Sequence, residues 1–369
     1  MYELLYIHLP FCRQRCAYCN FVTEAVPEDD PHMDAYLERL MRDIRAAAHA
    51  GELEHIRTMY LGGGTPTHFG HARLVELAYL LSLSIRLEQV EEYTVEANPD
   101  SLTPALAKDL YALGANRLSV GVQSFVDSEL AVLGRLHTAD QAAQTIRESR
   151  TRFENLSLDL ICGIPGQTET SWQYSLEQAL SLEPEHLSIY PLQVDHGTPL
   201  AQAINSGALS AVDEDSQAEM LEQAARVLGA QGYPRYEVAS YARPGYESRH
   251  NTGYWTGVSY LGIGTGAASM RNTLEGTRER WLCGEEPELL SASEAAAEDL
   301  FLALRMSRGV SNTQLKEAST LLPQALNVFE ELQSLGLVVQ TNQRYLPTEK
   351  GWLLGNELYA RVWALAEGS

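Results

Sequence analysis

The stretch YIHLPFCRQRCAYCNF, residues 6–21, places three cysteines in the eight positions from Cys12 through Cys16 to Cys19. The whole chain holds five cysteines, an odd number without the regular spacing of a disulfide framework. The amino terminus lacks the basic start and cleavage site of a signal peptide, and no apolar run is long enough to span a bilayer. We therefore expect a cytoplasmic protein with reduced thiols, in which this cluster of cysteines indicates a metal site.

Two kinds of metal site suit clustered thiols. A structural zinc ion needs four ligands, but the nearest additional candidates, His8 and His32, lack ligand spacing. A 4Fe-4S cluster is normally held by four thiolates, so three thiolates leave one iron with an open coordination position. Such an open position is useful only where another ligand binds. The cysteine pattern favours the cluster, with zinc or inert thiols as the alternatives.

The composition limits the classes of function. Hydrophobic residues make up 45% of the 369 residues, enough for a large domain and a smaller second one, or for two or three ordinary domains. The formal net charge of −22 argues against non-specific binding to nucleic acid or to anionic membrane surfaces, because both need clustered Lys and Arg. We therefore expect no nucleic-acid partner.

Six short runs with β-strand composition alternate with longer segments of helical periodicity. The runs are residues 4–10, 58–64, 93–99, 117–123, 156–163 and 186–193. Between the first two, apolar residues at three- and four-residue spacing predict a helix that begins at Asp30-Pro31. Six such alternations predict an α/β fold, a partial (β/α)6 TIM-type barrel with a parallel sheet and helices outside.

The last part of the chain has a different pattern. Residues 213–232 predict another helix, and residues 236–270 have the composition of Gly- and aromatic-rich loops. From about Ser291 the order is helix, glycine stop, β-hairpin at TNQ and a last helix, which predicts a small winged-helix-like α+β domain. DNA binding is one interpretation of such a domain, but the acidic charge favours a packing or lid module.

These patterns predict three parts. Residues 1–235 form the barrel, residues 236–290 form site loops and a connector, and residues 291–369 form the winged-helix-like domain.

The spacing C-x3-C-x2-C after the first strand, with Tyr18 just before the last cysteine, resembles the radical S-adenosylmethionine (SAM) superfamily. The resemblance implies that Cys12, Cys16 and Cys19 hold a 4Fe-4S cluster. It also implies that the methionyl amino and carboxylate groups of SAM chelate the open iron and that the reduced cluster splits the sulfonium.

The resemblance further implies SAM contacts at the carboxyl ends of the strands, where such barrels carry their sites. GGGTP, residues 62–66, holds the methionyl amino group in this superfamily. The implied SAM-binding residues are Tyr6, Tyr18, Gly63, Gly64, Thr65, Glu96, Gln123, Arg135 and Asp159. The alternative for the glycines is a plain turn. The alternatives for the polar residues are internal ion pairs or solvated loop ends. Two isolated cysteines, Cys162 and Cys283, are expected to be small buried hydrophobes.

Longer motifs, from YIHLPFC through VEANPDSLT and LDLICGIPGQT to HNTGYW, resemble the oxygen-independent coproporphyrinogen III oxidase group. Two features favour its bacterial heme chaperone branch over the oxidase. In the oxidase a further cysteine usually follows two positions after the third, whereas Phe21 stands there in this chain. The oxidase also has a long arm before its first strand, whereas only eleven residues precede Cys12.

A third feature is the match of HNTGYW to the H-N-x-x-Y-W motif of the chaperone branch. The resemblance implies heme contacts at His250, Asn251, Tyr254 and Trp255. Neutral imidazole is a natural axial ligand of heme iron, so His250 is the expected ligand, and Arg249 is a candidate partner of a propionate. The alternative is that His250 is a loop histidine whose ring bonds to the backbone, and that the aromatic residues close the mouth of the barrel.

The resemblance implies a heme chaperone that binds heme, a 4Fe-4S cluster and SAM, and delivers heme to apoproteins such as respiratory enzymes. It allows a homodimer and transient contact with membrane proteins. An oxygen-independent coproporphyrinogen III oxidase is the enzymatic alternative, because the SAM-contacting residues are all present. A barrel with a relict cluster and no catalysis is the third interpretation.

Overall fold

A computed structural model describes residues 1–366 of the chain. The strands are β1 (Leu4–Leu9), β2 (Phe11–Cys12), β3 (Glu24–Ala25), β4 (Thr58–Gly63), β5 (Glu92–Ala97), β6 (Arg117–Gln123), β7 (Leu156–Cys162), β8 (His186–Pro191), β9 (Ser240–Ala242), β10 (Tyr260–Ile263), β11 (Ala268–Asn272), β12 (Arg278–Leu282), β13 (Glu288–Leu290), β14 (Val310–Ser311), β15 (Val338–Gln340) and β16 (Arg344–Pro347). The α-helices are α1 (Pro31–His49), α2 (His71–Ser84), α3 (Pro104–Ala112), α4 (Asp127–Leu133), α5 (Ala139–Ser149), α6 (Glu169–Ser181), α7 (Pro199–Asn205), α8 (Glu214–Ala230), α9 (Arg249–Trp255), α10 (Ala292–Leu304), α11 (Asn312–Ala318), α12 (Ala325–Ser334), α13 (Glu349–Leu353) and α14 (Gly355–Trp363).

The main sheet confirms the predicted barrel core. It has 11 strands in the order β13-β12-β11-β10-β1-β4-β5-β6-β7-β8-β9. The six predicted strands, β1 and β4 to β8, are neighbours and all parallel. The sheet ends in β13 on one side and β9 on the other, so the barrel is open and partial.

The first predicted helix, α1, begins where its sequence signals place it. The side chain of Asp30 accepts a hydrogen bond from the backbone of His32, and Pro31 occupies the first turn. One face of the helix is buried, at Met33, Tyr36, Leu37, Leu40, Ile44 and Ala47. This face joins the hydrophobic core between the sheet and its helices, which is the main favourable term in the fold.

The two faces of the parallel strands differ in chemistry. Along β6, Leu118 and Val120 belong to the core shared with the helices, whereas the buried Arg117 and Ser119 alternate with them and lie on the other face. The interior of the barrel is therefore largely polar. Its hydroxyl, carboxyl and imidazole groups satisfy one another, as in the hydrogen bond between Ser157 and His186.

The prediction of loops over residues 236–270 was wrong. Strand β9 pairs antiparallel with β8, and β10 pairs parallel with β1 at the opposite side of the sheet. The strands β10 to β13 form an antiparallel meander, here called the edge meander. This segment therefore extends both ends of the barrel sheet.

The carboxyl-terminal part has the predicted order of elements. Helix α12 ends near Gly336, which has a φ of 71°, and the hairpin of β15 and β16 follows. A three-stranded sheet and its helices enclose a separate hydrophobic core centred on Phe329 and Leu304. Within residues 1–366, none of the helices combines the length and apolar character that a membrane span requires.

Candidate functional site

The three clustered cysteines lie together at the carboxyl end of the barrel. All three are free and partly exposed, and they line a cavity of about 450 Å³, here called the cysteine cavity. The hydroxyl of Thr65 donates to Cys12 at 3.5 Å, and the Arg135 guanidinium lies 3.6 Å from the Cys16 sulfur. These two donors suit anionic sulfur. Of the two isolated cysteines, Cys162 is buried as expected, whereas Cys283 is exposed, which corrects that expectation.

The arrangement of the thiols bears on the two candidate metals. In the part of the chain that the structure describes, no three His, Cys, Asp or Glu side chains converge as a single metal ion would need. A zinc ion needs sulfurs about 2.3 Å from one centre, whereas a 4Fe-4S cluster spreads its thiolates over separate irons. The three thiols line one cavity, an arrangement compatible with a cluster.

The GGGTP loop packs directly on the cysteine loop. The backbone of Gly64 donates to Leu9 at 2.8 Å, and that of Thr65 donates to Phe11 at 2.8 Å. A Cβ atom on Gly64 would lie 2.7 Å from the carbonyl oxygen of Phe11, so a side chain has no room there. Asn98, which was not predicted as a site residue, donates to the Thr65 hydroxyl at 3.0 Å. Its position at the end of VEAN, two residues after Glu96, is the signal that could have identified it.

The two predicted carboxylates of the cysteine cavity are half-buried and bonded to neutral donors. Glu96 accepts from the Tyr60 hydroxyl at 2.7 Å and from the Gly63 backbone at 3.2 Å. Desolvation raises the pKa of Glu96 to about 7 and also raises the pKa of Asp159, which accepts from Ser119 at 3.4 Å. Carboxylates held in this way retain capacity to bind hydroxyls of a ligand.

The remaining predicted SAM residues divide between two cavities. Tyr18, Gln123 and Arg135 line the cysteine cavity with Glu96 and Asp159. Gln123 adopts a φ of 69° at an irregularity in the pairing of β6 with β7. The guanidinium of Arg135 donates to the Gly121 carbonyl at 2.6 Å and to the side chain of Asn98 at 2.7 Å.

Tyr6 instead lines a neighbouring cavity of about 610 Å³, here called the apolar cavity. The two cavities share Phe21, Gly63 and Glu96 as wall residues. The remaining walls of the apolar cavity are Tyr6, His8, Val22, Tyr254, Trp255, Tyr260, Gly266, Ala268, Met270, Arg280, Glu298 and Leu302. This size and predominantly apolar, aromatic lining are typical of a site for a large organic ligand.

His8 lines the apolar cavity beside Gly63, a wall residue of both cavities, and was not predicted as a site residue. Its Nε2 donates to the carbonyl of Val22 at 3.1 Å, which leaves Nδ1 to accept from the Tyr6 hydroxyl at 3.0 Å. Gly63 has a φ of 112°, and a Cβ atom there would lie 2.5 Å from the His8 ring. His8 therefore connects the exit of the cysteine loop, strand β1 and the glycine loop.

The HNTGYW motif forms helix α9, and only part of it reaches a cavity. Tyr254 and Trp255 line the apolar cavity, whereas His250 is 0% exposed. The ring of His250 is hydrogen bonded at both nitrogens, to the Thr58 hydroxyl and to the Tyr254 hydroxyl, each at 2.8 Å. Asn251 lines neither the cysteine cavity nor the apolar cavity.

This geometry disagrees with the expectation that His250 ligates heme iron. Thr58 is the first residue of β4 and Gly63 the last, so the Thr58 backbone lies one strand length, about 16 Å, from the cysteine end of the barrel. The Tyr254 side chain, which is bonded to the His250 imidazole, lines the apolar cavity, whereas His250 does not. Arg249 forms an ion pair with Glu91 on the same amino-terminal side, so the structure also disagrees with its role beside a propionate. Residue spacing alone does not show which end of a barrel a helix approaches.

A buried carboxylate that was not predicted fixes this helix. Glu92, at the start of β5, accepts from the backbone of Arg249 at 2.7 Å and from that of His250 at 3.2 Å. It also accepts from the hydroxyl of Ser248 at 3.3 Å. A carboxylate at a helix amino terminus satisfies free backbone donors, so Glu92 directs His250 into the barrel interior.

Comparisons with known proteins agree with this architecture. The model described as the radical SAM superfamily matches residues 6–179, and that of the HemN C-terminal domain matches residues 290–354. The heme chaperone HemW of Bacillus subtilis is 33% identical, over 96% of this chain and 97% of its own length. That of Lactococcus lactis is 34% identical, over 96% of each chain.

Among solved structures, coproporphyrinogen III oxidase HemN from Escherichia coli superposes with a TM-score of 0.81. At 21% identity over 98% of this chain and 90% of HemN, that likeness shows the shared fold. The identity to the chaperones extends over nearly the full length. The chain therefore belongs to the HemW family of the radical SAM superfamily.

Proposed function

We propose that this protein is a heme chaperone that binds heme in the apolar cavity and delivers it to an apoprotein. The observation that carries the proposal is the shared wall of the two cavities, Phe21, Gly63 and Glu96. A large apolar ligand bound there lies directly beside the cysteine loop. The curated relatives over the full chain are named heme chaperones, which supports the same assignment.

Membership of the superfamily implies a 4Fe-4S cluster and SAM. Cys12, Cys16 and Cys19 would hold the cluster, which supplies electrons for reductive cleavage of a sulfonium. Their thiols fit this role because they surround one cavity and because Thr65 and Arg135 donate to sulfur.

The SAM-contacting residues are proposed to be those of the cysteine cavity, together with Tyr6 at its border. Gly63 and Gly64 let the backbone approach a ligand closely, and the Glu96 and Asp159 carboxyls can accept from ribose hydroxyls. Tyr254 and Trp255 offer flat faces to a porphyrin. Phe21 is 65% exposed at the border of both cavities, where it can control access between them.

The carboxyl-terminal module is proposed to close this site. Leu302 and Glu298 of α10 line the apolar cavity, and Glu298 forms ion pairs with Arg278 and Arg280 of the edge meander. These contacts support a packing module. Its separate core supports a boundary near residue 291. The expected boundary at 235 loses its basis, because β9 and β10 belong to the barrel sheet.

The second candidate is oxygen-independent coproporphyrinogen III oxidase. It is favoured by one observation, the presence of nearly all the expected SAM contacts around a single cavity. In either case the partner is a porphyrin. For a chaperone, the proposed recipients are apoproteins such as respiratory enzymes, which the protein would meet in the cytoplasm or at a membrane protein. A homodimer of the chaperone is compatible with this transfer.

A paired assay on one anaerobic, reconstituted preparation tests the proposal. We expect saturable heme binding, seen as a Soret band, and transfer of the heme to an apo-cytochrome. We expect no protoporphyrinogen on incubation with coproporphyrinogen III, SAM and a reductant. Formation of protoporphyrinogen with 5′-deoxyadenosine, without heme transfer, would establish the oxidase instead.

A further inference from the structure

Three residues of the edge meander form a row across neighbouring strands. Tyr260 of β10 is the direct partner of Met270 of β11, which is in turn the direct partner of Arg280 of β12. Directly opposed residues of antiparallel strands place their side chains on the same face, about 5 Å apart per strand. All three residues line the apolar cavity. The row therefore presents a phenol, a thioether and a guanidinium to one ligand.

The apolar cavity contains several side chains of the types that ligate heme iron, but most of their polar atoms already form hydrogen bonds. The hydroxyl of Tyr6 donates to His8, whose other nitrogen donates to Val22. The hydroxyl of Tyr254 is bonded to His250 at 2.8 Å. Within residues 1–366, neither the Tyr260 hydroxyl nor the Met270 sulfur has a hydrogen-bond partner, so these two atoms remain for a metal.

Met270 is the better ligand of the two. A thioether carries no proton and binds iron directly, as in the methionine-ligated cytochromes. The phenol of Tyr260 must lose its proton to bind well, and burial raises the pKa of Tyr260. Met270 is 4% exposed, so its sulfur is reached only through the cavity.

Arg280 is placed to recognise a carboxylate of the same ligand. Its Nε donates to Glu288 at 2.7 Å and its Nη1 to Glu298 at 3.2 Å. Its Nη2 donates to no other residue of the described chain. Glu288 and Glu298 thus orient the guanidinium and leave one of its edges available. Arginine binds carboxylates with strong, directional hydrogen bonds, and heme carries two propionates.

We propose that Met270 supplies an axial thioether to heme iron in the apolar cavity and that Arg280 pairs with a propionate. The edge meander is then the heme-binding platform, and helix α9 forms an aromatic wall through Tyr254 and Trp255. This inference rests on the proposed function, because heme must enter this cavity. It assigns the iron to a residue outside the HNTGYW motif.

The test uses the full-length, reconstituted protein titrated with heme in the ferric and ferrous states. Met270→Leu removes the sulfur while nearly conserving side-chain volume. Met220→Leu, at a buried methionine of the barrel core away from the cavity, is the matched control. We expect Met270→Leu to lose the charge-transfer band of thioether-ligated ferric heme and about tenfold in heme affinity. We expect Met220→Leu to keep both.

Arg280→Gln is titrated with heme and with heme dimethyl ester, in which both propionates are esterified. We expect about a tenfold loss of affinity for heme and little change for the ester. An equal loss for both ligands would overturn the role of Arg280, and an unchanged spectrum and affinity in Met270→Leu would overturn that of Met270. Absence of any saturable heme binding by the unsubstituted protein would instead overturn the proposed function, and this inference with it.

Discussion

His250→Gln separates the position of His250 in the structure from its expected role as a heme ligand. In the structure the imidazole is buried between the hydroxyls of Thr58 and Tyr254. A glutamine amide retains one donor and one acceptor for these partners but cannot take up a proton near neutral pH. The substitution should therefore change the pH dependence of stability without changing the heme spectrum.

The size of the effect follows from the protonation of the imidazole. Burial lowers the pKa of His250 from 6.5 to about 3. Below pH 6.5 the unfolded chain binds a proton that the folded protein excludes until about pH 3, so stability falls as the pH falls through this window. At about 1.4 kcal/mol per pH unit, and because the unfolded imidazole is already half protonated at pH 6.5, the loss from His250 between pH 6.5 and pH 4.5 is about 2 kcal/mol. Burial also lowers the pKa of His186, whose contribution is unchanged in the variant.

The assay is urea unfolding at pH 6.5 and pH 4.5, with heme titrations of the same preparations. We expect the free energy of unfolding of His250→Gln to fall by about 2 kcal/mol less than that of the unsubstituted protein over this range. His196→Gln, at an exposed histidine, is the control for the loss of a histidine at the surface. The reasoning is refuted if His250→Gln keeps the original pH dependence and loses the axial ligand signature of bound heme, since His250 then faces the heme.

Three other predictions follow from packing and charge. Gly64→Ala should lower the melting temperature and weaken SAM binding, because the new Cβ atom would lie 2.7 Å from the backbone of the cysteine loop. The control Gly166→Ala, with a φ of 84° and no neighbour within 4 Å, should cost only about 1 kcal/mol and leave SAM binding unchanged. Equal effects of the two substitutions would show that the contact at Gly64 is unimportant. Arg278→Ala should cost about 1 to 3 kcal/mol in thermal unfolding, because the Glu298 carboxylate loses its 2.5 Å partner and keeps only the 3.2 Å contact with Arg280. A loss below about 0.5 kcal/mol would contradict this. Because the pKa of Glu96 is raised to about 7, its contribution to stability is present below about pH 4.5 and is lost as the pH rises through 7. Between pH 5 and pH 8, Glu96→Gln should therefore lose about 2 kcal/mol less stability than the unsubstituted protein. Parallel curves of stability against pH would argue against the raised pKa.

The barrel strands could be predicted because their signal is local. β1 and β4 to β8 are short β-rich runs, each followed by a helical period with start and stop residues such as Asp30 and Gly114. The edge meander could not be predicted in the same way. Glycines at 262, 264 and 266 interrupt the alternation along and after β10, and this strand is stabilised by pairing with β1, which lies more than 250 residues earlier.

The site shows the same division between local and distant information. The cysteine spacing and the strand-end residues lead to one cavity because the carboxyl ends of parallel strands meet at one edge of a barrel. The direction of His250 depends instead on Glu92, a residue from a strand more than 150 positions earlier that accepts from the backbone of α9. The roles proposed for Met270 and Arg280 likewise depend on strand register, which the sequence does not display.

The proposed function requires that the protein leave one iron of the cluster open within the loop of Cys12, Cys16 and Cys19. Electron paramagnetic resonance of the reduced, anaerobically reconstituted protein, recorded before and after addition of SAM, tests this claim. We predict about four irons per chain and a signal that changes when SAM binds, with Cys16→Ser losing the cluster. Bound zinc, or an iron–sulfur signal indifferent to SAM, would contradict the claim.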